Sequence, residues 1–306
     1  MSMTVAKRGS RPFMTELRLT CRKSLTLKAS AALALMIAAG VGQVLPARAA
    51  GEGIVMAPHR AVYEMTLANS KGGSSVTQVS GRMVYELTGS ACEGYTQNMR
   101  FVTRMESQNG ASTLTDLRSS SWEEAKGQRF RFNSTQFRDE KATEVTAGDA
   151  ARTPTADIKV ELTKPSKRDL SIPRGAYFPV QHSIALIEAA KAGRSNFRAD
   201  LYDGSEKGEK VYDTVSAIGK QTRSQPARKL AGKNVERMDN IVAWPVSIAY
   251  YETKSDNKDA LPVYELSFLF LENGVSRNLL IDYGDFAIQG DLKEIDFLEP
   301  SKCEKK

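Results

Sequence analysis

Tyr264-Glu265-Leu266-Ser267-Phe268-Leu269-Phe270 places a large apolar residue at every second position, with Glu265 and Ser267 between them, and Asn273-Gly274 follows. A repeat of two is the signature of a half-buried strand, because successive side chains point to opposite faces. Asn-Gly supplies the positive φ angles of a tight hairpin turn, so a second strand is expected directly after it, near 276–283.

The same alternation recurs along the chain. Ala61, Tyr63, Met65 and Leu67 alternate with Val62, Glu64 and Thr66. Val79, Met83, Tyr85 and Leu87 alternate with Ser80, Arg82 and Glu86. Met99, Phe101 and Met105 are separated by Arg100 and Arg104, and Phe130 and Phe132 flank Arg131. Further strands are expected near 210–219, 226–237, 240–253 and 285–297. Asn109-Gly110 is a second strong hairpin signal, and Gly72-Gly73-Ser74, Asp203-Gly204 and Tyr283-Gly284-Asp285 are softer ones. Pro245 lies inside an apolar run. It cannot donate to a ladder, so its strand is expected to be an edge or to be bulged there. The stretch from Glu140 to Pro165 is the most linker-like in composition, yet Ile158, Val160 and Leu162 alternate, so no domain boundary is placed in it.

One segment departs from the pattern. Val180, Ile184 and Ile187 recur at helical spacing after Pro179, with Ala185, Ala189 and Ala190 beside them, and Gly193 suits the left-handed residue that ends a helix. The expected fold is mostly β: one long antiparallel, spiralled or barrel-like sheet of about 12–14 strands, with one main α-helix near residues 179–192. Two positions are open for that helix, one in or over the mouth of the sheet and one on its outer face.

The N-terminus reads as an export signal. Residues 1–28 carry Lys7, Arg8, Arg11, Arg18, Arg22, Lys23 and Lys28 against the single acid Glu16. An Ala/Leu/Gly-rich apolar stretch follows to Leu45, then Pro46 and the small-x-small triplet Ala47-Arg48-Ala49. This order is that of a secretory signal peptide, with cleavage expected between Ala49 and Ala50. The stretch is short for a membrane span, which needs about 20 strongly apolar residues. The expected organisation is residues 1–49 as signal peptide and 50–306 as one β-rich periplasmic domain.

Removing the leader changes the charge. The whole chain has 43 basic and 36 acidic residues, a formal net charge of +7. Eight of the basic residues and one of the acids lie in 1–49, which leaves the remainder neutral. The basic balance therefore belongs to the export signal and gives no support for nucleic-acid binding, which needs a basic face.

Cleavage also removes Cys21 and leaves Cys92 and Cys303 as the remaining cysteines. Two thiols in an oxidising compartment are expected to pair; the alternative is two buried free cysteines. Pairing would pin the polar tail beside the loop after the Val79–Leu87 strand and fasten the two ends of the sheet. For so long a loop the chain-entropy model gives roughly 5 kcal/mol as an upper figure.

Signs of chemistry are few. His59 and His182 stand apart and offer no metal-ligand spacing. His182 falls in the first turn of the expected helix, where the dipole disfavours an imidazolium. There is no Gly-x-Ser-x-Gly elbow and no phosphate-binding Gly-rich loop. Glu123-Glu124 and Asp139-Glu140 read as solvated turn charges, and Ser119-Ser120-Ser121-Trp122 as a polar strand with one aromatic anchor. Neither catalytic residues, nor a metal site, nor a cofactor is expected. Tyr63, Tyr85, Trp122, Phe130, Phe132 and Trp244 are candidates for lining an apolar cavity; packing in the core is the alternative for all six.

In their order, several motifs carry a family resemblance. They begin with His59-Arg60-Ala61-Val62-Tyr63, Gly81-Arg82-Met83-Val84-Tyr85-Glu86 and Cys92-Glu93-Gly94-Tyr95. Phe178-Pro179 to His182, Leu201-Tyr202-Asp203-Gly204-Ser205, Trp244-Pro245-Val246 and Glu272-Asn273-Gly274-Val275-Ser276 come next. Ile281-Asp282-Tyr283-Gly284-Asp285-Phe286 and Cys303 complete the set. Together they resemble the envelope integrity protein B family of Gram-negative bacteria over essentially the whole chain after the leader. The resemblance implies a periplasmic protein with a spiralled antiparallel sheet partly closed around a helix and a cavity, similar in outline to lipoprotein-carrier and lipocalin-like sheets. It implies a disulfide mapping onto Cys92 and Cys303, a role in cell-envelope integrity, and a link to a periplasmic tetratricopeptide-repeat partner. It implies no catalytic activity and no cofactor. The expected function is a non-enzymatic periplasmic factor that binds a partner protein or a lipid-like ligand. A hydrolase acting on an envelope polymer is the alternative, and a polar, carboxylate-lined cleft would favour it.

Overall fold

The alternating stretches form the strands they predict. The computed structural model describes residues 53–225, 235–252 and 260–303. The expected leader, with its cleavage between Ala49 and Ala50, lies outside the described residues. In chain order the first eight strands are β1 (His59–Ser70), β2 (Val76–Ser90), β3 (Gly94–Ser107), β4 (Ser112–Glu123), β5 (Arg129–Arg138), β6 (Lys141–Ala151), β7 (Ile158–Lys164) and β8 (Arg168–Ile172). The helix α1 (Pro179–Lys191) follows. After it come β9 (Asn196–Leu201), β10 (Tyr212–Ile218), the two-residue β11 (Thr222–Arg223), β12 (Val242–Glu252), β13 (Tyr264–Leu271), β14 (Ser276–Asp282) and β15 (Phe286–Phe297).

All belong to one antiparallel sheet of order β8-β7-β6-β5-β4-β3-β2-β1-β15-β14-β13-β12-β10-β9, with β11 paired to β12. The first and last strands are central neighbours, with His59 opposite Phe297 and Tyr63 opposite Leu292. The sheet is not closed: β8 and β9 are its edges. The segment leading from β8 into α1 covers the β9 edge at one point, where the Tyr177 N–H donates to the Asp200 carbonyl at 2.7 Å and the Tyr202 N–H to the Tyr177 carbonyl at 2.9 Å.

Two expectations are corrected and a third is resolved between its alternatives. Val235–Met238 form a 3-10 turn rather than part of a strand, and 226–234 lie outside the described residues. The Ser224 N–H donates to the Ile241 carbonyl at 2.9 Å, and the Asn240 N–H donates to the Ser224 carbonyl at 3.0 Å. Pro245 does not sit on an edge strand, because β12 has β13 on one side and β10 on the other; the other expectation, a bulge, is met on the β10 side, where residues 219–221 stand opposite Trp244 and Pro245. The ladder on the β10 side breaks between Ile218 and Thr222, and there the Gly219 N–H donates to the Pro245 carbonyl at 2.7 Å, so the missing proline donor falls where no strand needs it. The disulfide between Cys92 and Cys303, with Cα atoms 5.7 Å apart, does not fasten the ends of the sheet. It ties the β2–β3 turn to the tail after β15, across β1, in the middle of the strand order. The Ser301 N–H donates to the Gly89 carbonyl at 3.1 Å beside it.

Packing divides into two cores. The larger buries Tyr63, Met65 and Leu87 with α1 and the inner residues of β12–β15, among them Trp244, Ile248 and Ile295. The smaller lies between β5–β8 and the strap before α1, and is built on Phe130, Phe132, Val160, Phe178 and Tyr202. Helix α1 ends at Gly193 (φ 72°), where the Gly193 and Arg194 N–H groups return to the carbonyls of Ala190 and Ala189 at 3.0 Å each. These are the bonds of a glycine-terminated helix.

Candidate functional site

The inner faces of β1–β3 and of β12–β14 share one core but do not fill the space between them. Between them lies a cavity of about 430 Å³, within the range of small-molecule sites. Tyr63, Met83, Tyr85, Met99 and Phe101 form one wall, and Ile248, Tyr250, Tyr264, Leu266 and Leu279 the facing one. Pro179, His182, Ser183 and Leu186 of α1 complete it. The helix therefore occupies the inner position of the two left open by its sequence pattern. Most of the polar groups around the wall are bonded internally. The Tyr63 hydroxyl donates to the Ser276 carbonyl at 2.8 Å, the Gln97 amide donates to the Tyr85 hydroxyl at 2.8 Å, and the Met56 N–H donates to the Tyr95 hydroxyl at 3.2 Å. Burial pushes the Tyr85 phenol up to about 12, so it stays neutral.

A second chamber of about 250 Å³ adjoins the first. The two share Tyr85, Gln97, Met99, Pro179 and Asp203 in their walls. Its further lining mixes Leu117 and Phe132 with Ser119 and Ser121 from β4, Asn133 and Ser134 from β5, and Ser205 from the turn after β9. Asp203 stands at the junction. Its carboxylate accepts the Ser205 N–H at 2.9 Å, and burial pushes it above the usual carboxylate range.

Both histidines line the main cavity. His59 opens β1 and its Nδ1 lies 2.7 Å from the Ala57 carbonyl, so that nitrogen carries the proton. His182 Nε2 lies 3.1 Å from the Thr214 hydroxyl, which itself donates to the Ala199 carbonyl at 2.7 Å. The threonine proton is thus committed, and His182 donates from Nε2. Burial lowers both imidazoles, His182 to about 4, and holds them neutral. The hydroxyl beside His182 is that of Thr214, whose proton goes to the Ala199 carbonyl, and neither histidine has a thiol or a carboxylate among the hydrogen-bond partners described here. Among the described residues no group of three or more His, Cys, Asp or Glu could hold a metal ion.

Of the six aromatic candidates, Tyr63 and Tyr85 line the main cavity. Phe132 borders the second chamber, and its neighbour Phe130 stacks between it (5.5 Å) and Phe178 (5.0 Å) in the smaller core. Trp244 is buried in the larger core opposite Phe270 and does not reach the cavity. Trp122 is half-buried, with a parity that points it away from the face of Ser121 and Glu123. Alternation places such residues on a face; it does not tell a packed face from a cavity wall.

Two acids carry more than their sequence suggested. Asp203 reads locally as a turn residue. Glu123, read as a solvated turn charge, is 2% exposed. Its carboxylate accepts the Val180 and Gln181 N–H groups and so caps α1 from a distant strand. The available signal was an absence: Phe178, ahead of Pro179, has no side chain able to cap a helix.

A family model described as EipB-like matches residues 50–299. Over 257 residues the chain is 36% identical to a protein of Brucella abortus (strain 2308) described as "Cell envelope integrity protein EipB", covering 84% of this chain and 89% of that protein. It is also similar to a crystal structure from Brucella abortus, described as a beta-barrel-like protein of a domain of unknown function. The TM-score is 0.73 at 36% identity, over 80% of this chain and 99% of the other.

Proposed function

This chain belongs to the EipB-like family, and on that premise we propose that it acts in the periplasm as a non-enzymatic factor that maintains cell-envelope integrity by holding a lipid-like ligand in its cavity. The relative named for envelope integrity supports a place in the cell envelope; the ligand reading rests on the cavity. One observation carries it: some 430 Å³ of space lined by Tyr, Phe, Met and Leu side chains, roofed by α1 and adjoined by a smaller chamber that offers serine hydroxyls and an asparagine amide beside Leu117 and Phe132. An amphiphile fits that division, with its chain among the apolar side chains and its head among the hydroxyls. The hydrolase reading calls for a polar cleft with paired carboxylates, and Asp203 is the lone acid in either wall among the described residues. A periplasmic tetratricopeptide-repeat protein is proposed as the protein partner on the family resemblance.

The test is saturable binding of the neutral, environment-sensitive dye N-phenylnaphthylamine to the purified protein, with displacement by dodecyl maltoside. Leu279→Trp, which fills the cavity from β14, should weaken both. A folded protein that shows no saturable binding would remove the ligand reading and leave partner binding in its place.

A further inference from the structure

Resting on the reading that the cavity holds an amphiphile, we propose that its ligand carries a cationic, ammonium-type head seated against Asp203, with its apolar chain along the main cavity. The argument is one of charge complementarity. Among the described residues, neither chamber has a lysine or arginine in its wall. The two histidines of the main cavity are neutral, and their protonated nitrogens are bonded to Ala57 and Thr214. Asp203 is then the one carboxyl group in either wall, with no lysine or arginine in the walls beside it.

Its surroundings suit a cation. Tyr250 and Tyr264 stack with centroids 4.3 Å apart, and the Tyr283 ring lies 6.2 Å from Tyr264. All three line the cavity with Asp203. Asp203 is close enough that its charge raises the phenols of Tyr250 and Tyr264. Aromatic faces beside a carboxylate attract an ammonium by the ring quadrupole as well as by the charge. Lys210 stands outside both walls and its charge partly offsets the burial of Asp203, while its ammonium pairs with Glu252 at 2.9 Å and lies 5.0 Å from the Tyr212 ring centre.

An anionic head would meet the opposite conditions. A carboxylate or phosphate at the junction would face Asp203 across a poorly solvated space whose walls carry no lysine or arginine among the described residues. An ammonium neutralises a carboxylate whose burial is otherwise unfavourable. Asp203 is also held in place before any ligand arrives, because the Ser205 N–H fixes one of its oxygens. Ser119, Ser121 and Ser134 can hydrogen-bond whatever polar groups accompany the ammonium.

The experiment compares three amphiphiles of equal chain length below their micelle concentrations: dodecyltrimethylammonium, dodecanoate and dodecyl maltoside. Each displaces N-phenylnaphthylamine from the protein lacking its leader. Dodecyltrimethylammonium should bind about tenfold more tightly than dodecanoate, the scale expected of a partly desolvated cation among rings. D203N keeps an oxygen for the Ser205 N–H and removes the charge; it should abolish that ratio. Should D203N fail to fold, Tyr264→Leu, which removes a ring and keeps the carboxylate, must lower the ratio. Equal binding of cation and anion, a preference for dodecanoate, or a ratio unchanged in these variants would overturn the proposal while leaving the cavity reading in place. If none of the three binds the folded wild type, the cavity reading itself fails.

Discussion

Glu123, the last residue of β4, accepts the backbone N–H of Val180 at 2.7 Å, joining a strand to the first turn of α1 across 57 residues of sequence. The same carboxylate accepts the Gln181 N–H at 3.0 Å. It therefore satisfies donors that the first turn of any helix leaves open, and it does so from inside the protein. Burial raises it to about 7, against the opposing pull of the two N–H groups and of Arg152.

A raised carboxylate means that the folded protein holds a proton that the unfolded chain has released. The stability that comes with this proton is complete below about pH 4.5 and is lost as pH rises through about 7. The span is worth on the order of 3 kcal/mol. Glu123→Gln should remove this falling contribution, so that stability rises with pH between about 5 and 6.5, at a cost of about 1 kcal/mol for the weakened cap. Urea unfolding at intervals from pH 5 to 8 measures it; a variant with the wild-type slope would show that Glu123 does not titrate there.

His182 works in the opposite direction. Its folded value, lowered to about 4, makes its contribution complete above about pH 6.5 and lost as pH falls toward 4, again on the order of 3 kcal/mol. Burial lowers His59 as well. Between about pH 4.5 and 6.5 Glu123 and His182 therefore oppose each other, and the wild type should have a shallow profile. His182→Gln keeps a donor for the Thr214 hydroxyl and should gain relative stability in acid. Combined with Glu123→Gln it should give a profile flatter than either alone. Melting temperatures across the range decide the point: equal acid loss in wild type and His182→Gln removes His182 as the cause.

The bond between Cys92 and Cys303 spans 211 residues of sequence, while β1, β2 and β15 already lie side by side. Its effect should fall largely on the unfolded chain, with a loss of about 2–5 kcal/mol on removal. Cys92→Ser and Cys303→Ser should lower the melting temperature alike, and the double variant should be no worse than either. Additive losses, or labelling of both thiols by an alkylating agent without prior reduction, would show that they are not partners.

Gly204 turns the chain beside Asp203 with φ 74°, and a Cβ there would lie 2.3 Å from the Phe132 ring. Gly204→Ala adds left-handed strain of about 1–2 kcal/mol to overpacking of about 1–3 kcal/mol. It should lower stability by at least 2 kcal/mol and displace the ring that borders the second chamber. A melting temperature within one degree of wild type would contradict this account of the turn.

Where local physics decides the outcome, the sequence was a sufficient guide. Alternation found β1, β2 and β13, Asn109-Gly110 and Asn273-Gly274 found two hairpins, and the spacing after Pro179 found α1 with its glycine stop. It was silent where residues act across distance. Trp244 and Tyr63 have similar patterns, yet one packs and the other borders open space. Pro245 has the local reading of an edge residue and lies in a central strand, because the break that accommodates it belongs to another part of the chain.

By itself, then, the sequence determined a long antiparallel β protein with one helix, two cysteines able to pair and no evident catalytic set, because strand period, turn chemistry and residue inventory are properties of short stretches or of counts. Tertiary structure alone decided that the first and last strands are neighbours, that α1 faces inward, that Glu123 is a buried cap, and that Asp203 stands in the wall shared by two chambers. Each depends on which distant strands the sheet's curvature brings together. Burial, charge and hydrogen bonding at those four places are set by that meeting of strands and leave no trace in the local order of residues.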